Sequence, residues 1–118
     1  MRLLAVITAL VPLPGLAAEL WCMPSTICRA DGSCHPTDDQ ESSIRLQDMD
    51  AATSSLRSNA QDVAMTRRQT GEFVEWRGVN QSGDAEYLLW RRADMVYNHT
   101  IALRDGGTFK AVGHCEIQ

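Results

Sequence analysis

The stretch "DMVYNHTIALRDGGTFKAVGHCEI", Asp94 to Ile117, decides how the chain folds. Successive side chains of a strand point to opposite faces. Val96, Asn98, Thr100 and Ala102 therefore share one face, and Met95, Tyr97, His99, Ile101 and Leu103 share the other. The second set is the more apolar and is expected to be buried. Asp105-Gly106-Gly107 supplies residues that tolerate positive φ, as a tight hairpin turn requires. The segment "TFKAVGHCEI" then returns antiparallel and delivers Cys115.

The same grammar extends upstream. "GEFVEWRGV" and "AEYLLWRR" are rich in aromatic and branched residues and are separated by the turn residues Asn80 to Asp84, which predicts two further strands. In "SSIRLQDMD", Ile44 and Leu46 alternate with Arg45 and Gln47, as in a half-buried strand. The segment "AATSSLRSNAQDVAMTRRQ" fits a helical stripe through Leu56, Ala60, Val63 and Ala64, but Ser58-Asn59 favours a turn, so two short strands are expected. Short strands joined by turns predict an all-β fold, a small antiparallel barrel or sandwich. The segment up to about Gln40, with Pro24, Pro36 and three cysteines, is expected to be an irregular loop stapled onto it by disulfides.

The first residues, "MRLLAVITALVPLPGLAAEL", place Arg2 before an apolar run from Leu3 to Leu13, followed by Pro14, Gly15 and small residues. This is the order of a secretory signal peptide, with cleavage expected after Ala17 or Ala18. Residues 1–18 are thus expected to be the signal and residues 19–118 a single β domain. The run is shorter than the about 20 apolar residues that span a hydrocarbon core, so no permanent membrane insertion is expected. Trp21 stands where a lipoprotein carries a small residue before its acylated cysteine. The expected address is periplasmic or secreted. Losing Arg2 moves the formal net charge from -4 to -5. An acidic chain with scattered arginines argues against nucleic acid as a partner.

Export bears on the cysteines. An even number in an oxidising compartment reads as a disulfide framework, and the spacing Cys22-x5-Cys28-x5-Cys34 is neither a zinc knuckle nor a C-x-x-C redox motif. Of three possible pairings, Cys28–Cys34 is favoured because "RADGS" between them carries the Asp31-Gly32 turn signal. That leaves Cys22 for Cys115. No metal site and no cofactor is expected.

Among candidate sites, the aromatic and arginine residues of the second half, Trp76, Arg77, Tyr87, Trp90, Arg91 and Arg92, form a possible binding surface, because Trp, Tyr and Arg dominate interaction hot spots. Packing of these aromatics in the core is the competing reading. No catalytic residue is assigned: G-x-S-x-G, H-E-x-x-H and phosphate-loop motifs do not occur. His35, His99 and His114 lie far apart, and His99 falls among apolar neighbours. The expected function is a non-enzymatic module that binds a protein or a small ligand. The alternatives are an inhibitor of a cationic cell-wall hydrolase and a metal-handling protein or hydrolase built on His99.

The stretches "LWCMPSTIC", "GSCHPTD" and "TFKAVGHCE" together resemble a group of small exported cysteine-containing β proteins of alphaproteobacteria, a likeness that implies a periplasmic address and no activity. "SGDAEY", Ser82 to Tyr87, resembles the Ser-Gly-x-x-Tyr of periplasmic C-type lysozyme inhibitors, with one extra residue and without their later Lys-Gly loop. That likeness implies a disulfide-tied barrel.

Overall fold

A computed structural model describes residues 18–37, 43–58 and 60–118. Most of the expected signal segment, Asp38-Asp39 and Asn59 lie outside the described residues. The described chain forms nine strands: β1 Leu20–Cys28, β2 Cys34–Pro36, β3 Ile44–Gln47, β4 Thr53–Ser58, β5 Gln61–Thr70, β6 Phe73–Val79, β7 Ala85–Arg91, β8 Val96–Ala102 and β9 Thr108–Ile117. Consecutive strands from β3 to β9 pair antiparallel, and β1 pairs with both β3 and β9. The result is a closed eight-stranded barrel, with β2 added as a short outer strand on β1. Closure leaves no long unpaired edge.

Alternation sets what points inward. Leu20, Leu46, Leu56, Met65, Trp76, Leu88, Trp90 and Tyr97 pack together inside with almost no exposed surface. Arg45, Arg57, Arg68, Arg77, Lys110 and Glu116 point outward. No helix long and apolar enough to cross a membrane occurs among the described residues. The last hairpin is paired in the register its alternation predicts, from Val96↔His114 to Ala102↔Thr108. Met95 and Leu103 depart from the buried set assigned to them. Both lie just outside β8, and Met95 adopts φ 63°, which turns its side chain out to 44% exposure. The ambiguous segment is two strands, β4 and β5, as expected.

The N-terminal segment is more regular than its prolines and cysteines suggest. β1 is a full wall strand of the barrel, and its prolines are accommodated locally. The β1–β9 register shifts between Pro24 and Thr26, a bulge at which Pro24, lacking an N–H, costs the ladder nothing. Gly113 faces Pro24 there, and a Cβ at that position would lie 2.0 Å from the Met23 carbonyl oxygen, so only glycine lets the two backbones approach. Both disulfides have the expected pairing. Cys22–Cys115 is buried in the β1–β9 seam, joining directly opposed residues. Cys28–Cys34 closes the exposed β1–β2 hairpin. No described cysteine is free, and such bonds fit an oxidising compartment.

Candidate ligand site at one end of the barrel

Alternating strand direction gathers four connections at one end of the barrel: the turns β1–β2, β4–β5, β6–β7 and β8–β9. They are clipped to one another. The Gln81 N–H donates to Gln61 Oε1 at 3.3 Å, linking the β6–β7 and β4–β5 turns. The Arg104 N–H donates to Asp84 Oδ1 at 2.8 Å, linking β8–β9 to β6–β7. Gly107 sits so close to Ala30 that an added Cβ would lie 2.9 Å from the Ala30 Cβ, which packs β8–β9 on β1–β2. This ring encloses a recess of about 410 Å³. Its apolar lining is Ala30, Ile101, Leu103 and Phe109, and its polar lining is Arg29, Gln61, Asn80, Ser82 and Asp84.

The interior next to this end holds a buried carboxyl and an imidazole in place of hydrocarbon. Glu86 and His99 point inward from β7 and β8, each 3% exposed. His99 Nε2–H donates to Glu86 Oε1 at 2.8 Å, and Asn80 Nδ2–H donates to Glu86 Oε2 at 2.8 Å. The other end of the Asn80 side chain holds the turn, since its Oδ1 accepts the Ser82 and Asp84 N–H groups at 2.9 and 3.0 Å. One side chain thus joins the buried carboxylate to the rim of the recess. A buried carboxylate is tolerable only when so satisfied.

The expected aromatic and arginine surface divides. Trp76 and Trp90 have 0% exposure and belong to the core. The alternation that puts Phe73, Glu75 and Arg77 outside puts Val74 and Trp76 inside, and Trp90 Nε1–H donates to the Cys115 carbonyl at 3.2 Å. Arg77, Tyr87 and Arg91 do lie outside, where Arg77 stands over the Tyr87 ring at 5.7 Å and Arg91 over Phe73 at 5.5 Å. Arg92 is exposed just after β7, with its guanidinium 5.3 Å from the centroid of the buried Trp90 ring. The outer arginines are engaged by their neighbours, Arg77 by Glu75 at 2.8 Å and Arg91 by Asp94. Hydrogen bonds from Arg91, then the Val96 N–H, hold the Asp94 carboxyl down at about 2. Because this folded value lies below that of an unfolded aspartate, the contribution to stability is present above pH about 4 and lost as pH falls toward about 2. Asp94→Asn is therefore expected to flatten the acid limb of a melting-temperature profile in that window. An unaltered limb contradicts the assignment.

His35 and His114 are exposed on β2 and β9, and neither joins His99. No group of three or more His, Cys, Asp or Glu side chains arranged to hold a metal ion occurs among the described residues. Three buried donors have no hydrogen-bond partner there: Arg67 Nε, Trp76 Nε1 and the Tyr97 hydroxyl. Burial alone pushes the Tyr97 hydroxyl above the usual phenol range. A buried hydroxyl without a partner forfeits its hydration and gains nothing in return. Tyr97→Phe should leave stability in urea unfolding equal or higher. A loss beyond about 1 kcal/mol would show that the hydroxyl has an acceptor.

A third feature escaped sequence reasoning: Trp21, 41% exposed, lies under the Arg45 guanidinium at 3.9 Å beside a recess of about 300 Å³. The cross-strand pair Trp21↔Arg45 depends on the β1–β3 contact, which no local pattern announces. The chain matches no protein-family model, no curated protein and no solved structure.

Proposed function

We propose that this chain is a non-enzymatic binding module, exported to the periplasm or secreted, that takes a small ligand into the recess ringed by its four turns. The observation that carries the reading is the recess itself: a concavity with apolar and polar lining residues, tied through Asn80 to a buried Glu86–His99 pair. Ligand sites have this composition and begin at about 300 Å³. An eight-stranded barrel is wide enough to be filled by side chains or to hold one small ligand. Here side chains fill the interior, and the recess lies over one end of it. The outer arginine face supports the reading less well, because Glu75 and Asp94 already occupy two of its guanidinium groups.

Export is supported by the apolar N-terminal run and by two disulfides. Charged side chains on the outer wall and apolar ones inside are the reverse of the lipid-facing pattern of a membrane barrel. Expression of the full chain in a Gram-negative host, followed by intact-mass measurement of the periplasmic fraction, should give a protein beginning at Ala18 or Glu19. Retention of Met1 contradicts export. For the site, backbone amide NMR with a fragment library is expected to give shifts clustered at Asn80, Ile101, Leu103 and Phe109. Shifts confined to the outer face of β5 to β7 contradict the recess.

A further inference from the structure

The polar lining of the recess carries both signs of charge, one from each side. Arg29, on the β1–β2 turn, makes no side-chain hydrogen bond or ion pair among the described residues. Its nearest acid in sequence, Asp31, lies within reach of the Arg29 charge but takes its hydrogen bonds from Ser33, whose N–H and hydroxyl donate to Asp31 Oδ1 at 2.9 and 2.6 Å. Asp84, on the β6–β7 turn, uses Oδ1 to accept the Arg104 N–H and leaves Oδ2 without a described partner. Glu86 is not available to a ligand, because His99 and Asn80 take both of its oxygens. In the strand order β1-β9-β8-β7 the strands carrying Phe109 and Ile101 stand between those that lead to Arg29 and Asp84, and Leu103 lies in the turn that joins them.

We propose that the ligand of this recess is a small zwitterion with an apolar side chain, of the α-amino-acid class, its carboxylate on Arg29 and its ammonium on Asp84. The inference rests on the recess being the binding site. A neutral apolar molecule covering the recess strips water from Arg29 and Asp84 and replaces it with nothing. A monoanion satisfies Arg29 and is repelled by Asp84, and a monocation meets the converse. Only a ligand with both charges pairs each group as it dehydrates it, and the apolar wall between them accepts the side chain. The volume of about 410 Å³ lies at the small end of the range for ligand sites, which suits a single amino acid better than a peptide.

Calorimetric titration of the exported, disulfide-bonded protein with three compounds of one shape tests the idea. L-phenylalanine carries both charges, 3-phenylpropionate only the negative and 2-phenylethylamine only the positive. L-leucine serves as a second, aliphatic zwitterion. At least one zwitterion is expected to bind about tenfold or more tighter than either singly charged compound. Arg29→Gln should reduce that affinity to the level of the amine. Asp84→Asn, which keeps an oxygen for the Arg104 N–H, should reduce it to the level of the acid. The inference is overturned if neither zwitterion binds, if a singly charged compound binds as tightly, or if both variants retain wild-type affinity. Amide NMR on the same samples separates this failure from that of the site. Shifts at Ile101 and Leu103 with phenylpropionate or phenylethylamine keep the recess and remove the zwitterion. A library that perturbs no recess residue removes the recess as well.

Discussion

Replacing Cys22 and Cys115 together by alanine is expected to lower stability by about 4.7 kcal/mol, the loop-closure contribution of a cross-link of this length. The two residues are 93 apart in sequence and lie opposite each other where the first and last barrel strands meet. For a domain of about 100 residues such a loss shifts the melting point by roughly 20 °C or more. Removing Cys28 and Cys34, six apart and joined outside the barrel, should cost about 2.4 kcal/mol by the same relation. Thermal melts of both double variants give the ranking directly. Equal losses, or a larger loss from the hairpin bond, refute the view that closure of the seam is what the long bond stabilises.

The second large effect is expected at the buried pair. His99→Leu leaves the Glu86 carboxylate 3% exposed with Asn80 as its one remaining side-chain donor. Removing one partner of a buried hydrogen bond leaves the other unsatisfied at a cost of about 1 to 3 kcal/mol, more for a carboxylate, whereas replacing both with apolar groups is often near neutral. The double variant Glu86→Met, His99→Leu should therefore recover most of the loss. Urea unfolding of the two single variants and the double closes the cycle. A His99→Leu variant within about 1 kcal/mol of wild type means that the carboxylate is satisfied without the imidazole. The same variants report on the recess, because Asn80 links Glu86 to the backbone of the β6–β7 turn.

The parts of this fold legible in the sequence are those whose signal is local. Alternation over Val96 to Ala102 and the Asp105-Gly106-Gly107 turn fix the last hairpin because strand period and turn chemistry act within a dozen residues. The disulfide pairing was legible for the same reason, since the Asp31-Gly32 turn brings Cys28 to Cys34 and leaves one partner for Cys22. Strand β1 was less so. Pro24 and Pro36 read as loop residues, but a bulge opposite Gly113 absorbs one, and the other ends a three-residue outer strand. The status of Trp76 and Trp90 turned on which face of β6 and β7 is enclosed, and a barrel encloses only one. The recess was the least visible. Arg29, Asn80 and Asp84 were recognisable as turn or near-turn residues and Leu103 as a strand residue. Their convergence follows from the closed strand order, which no window of sequence contains.

The β1–β9 seam also orders events in the life of the chain. The other barrel strands all lie between β1 and β9 in sequence, so the wall that needs both cannot form until β9 has been made. Pairings between distant strands are slow because the connecting loop must be ordered before contact rewards it. The β1–β2 hairpin has no such delay. Cys34 lies six residues from Cys28 across a tight turn, so their bond can close before the seam pairs, and once it is closed the thiol of Cys22 has only Cys115 left as a partner. The small outer hairpin thereby protects the distant pairing, holding Cys22 in reserve for Cys115 on β9.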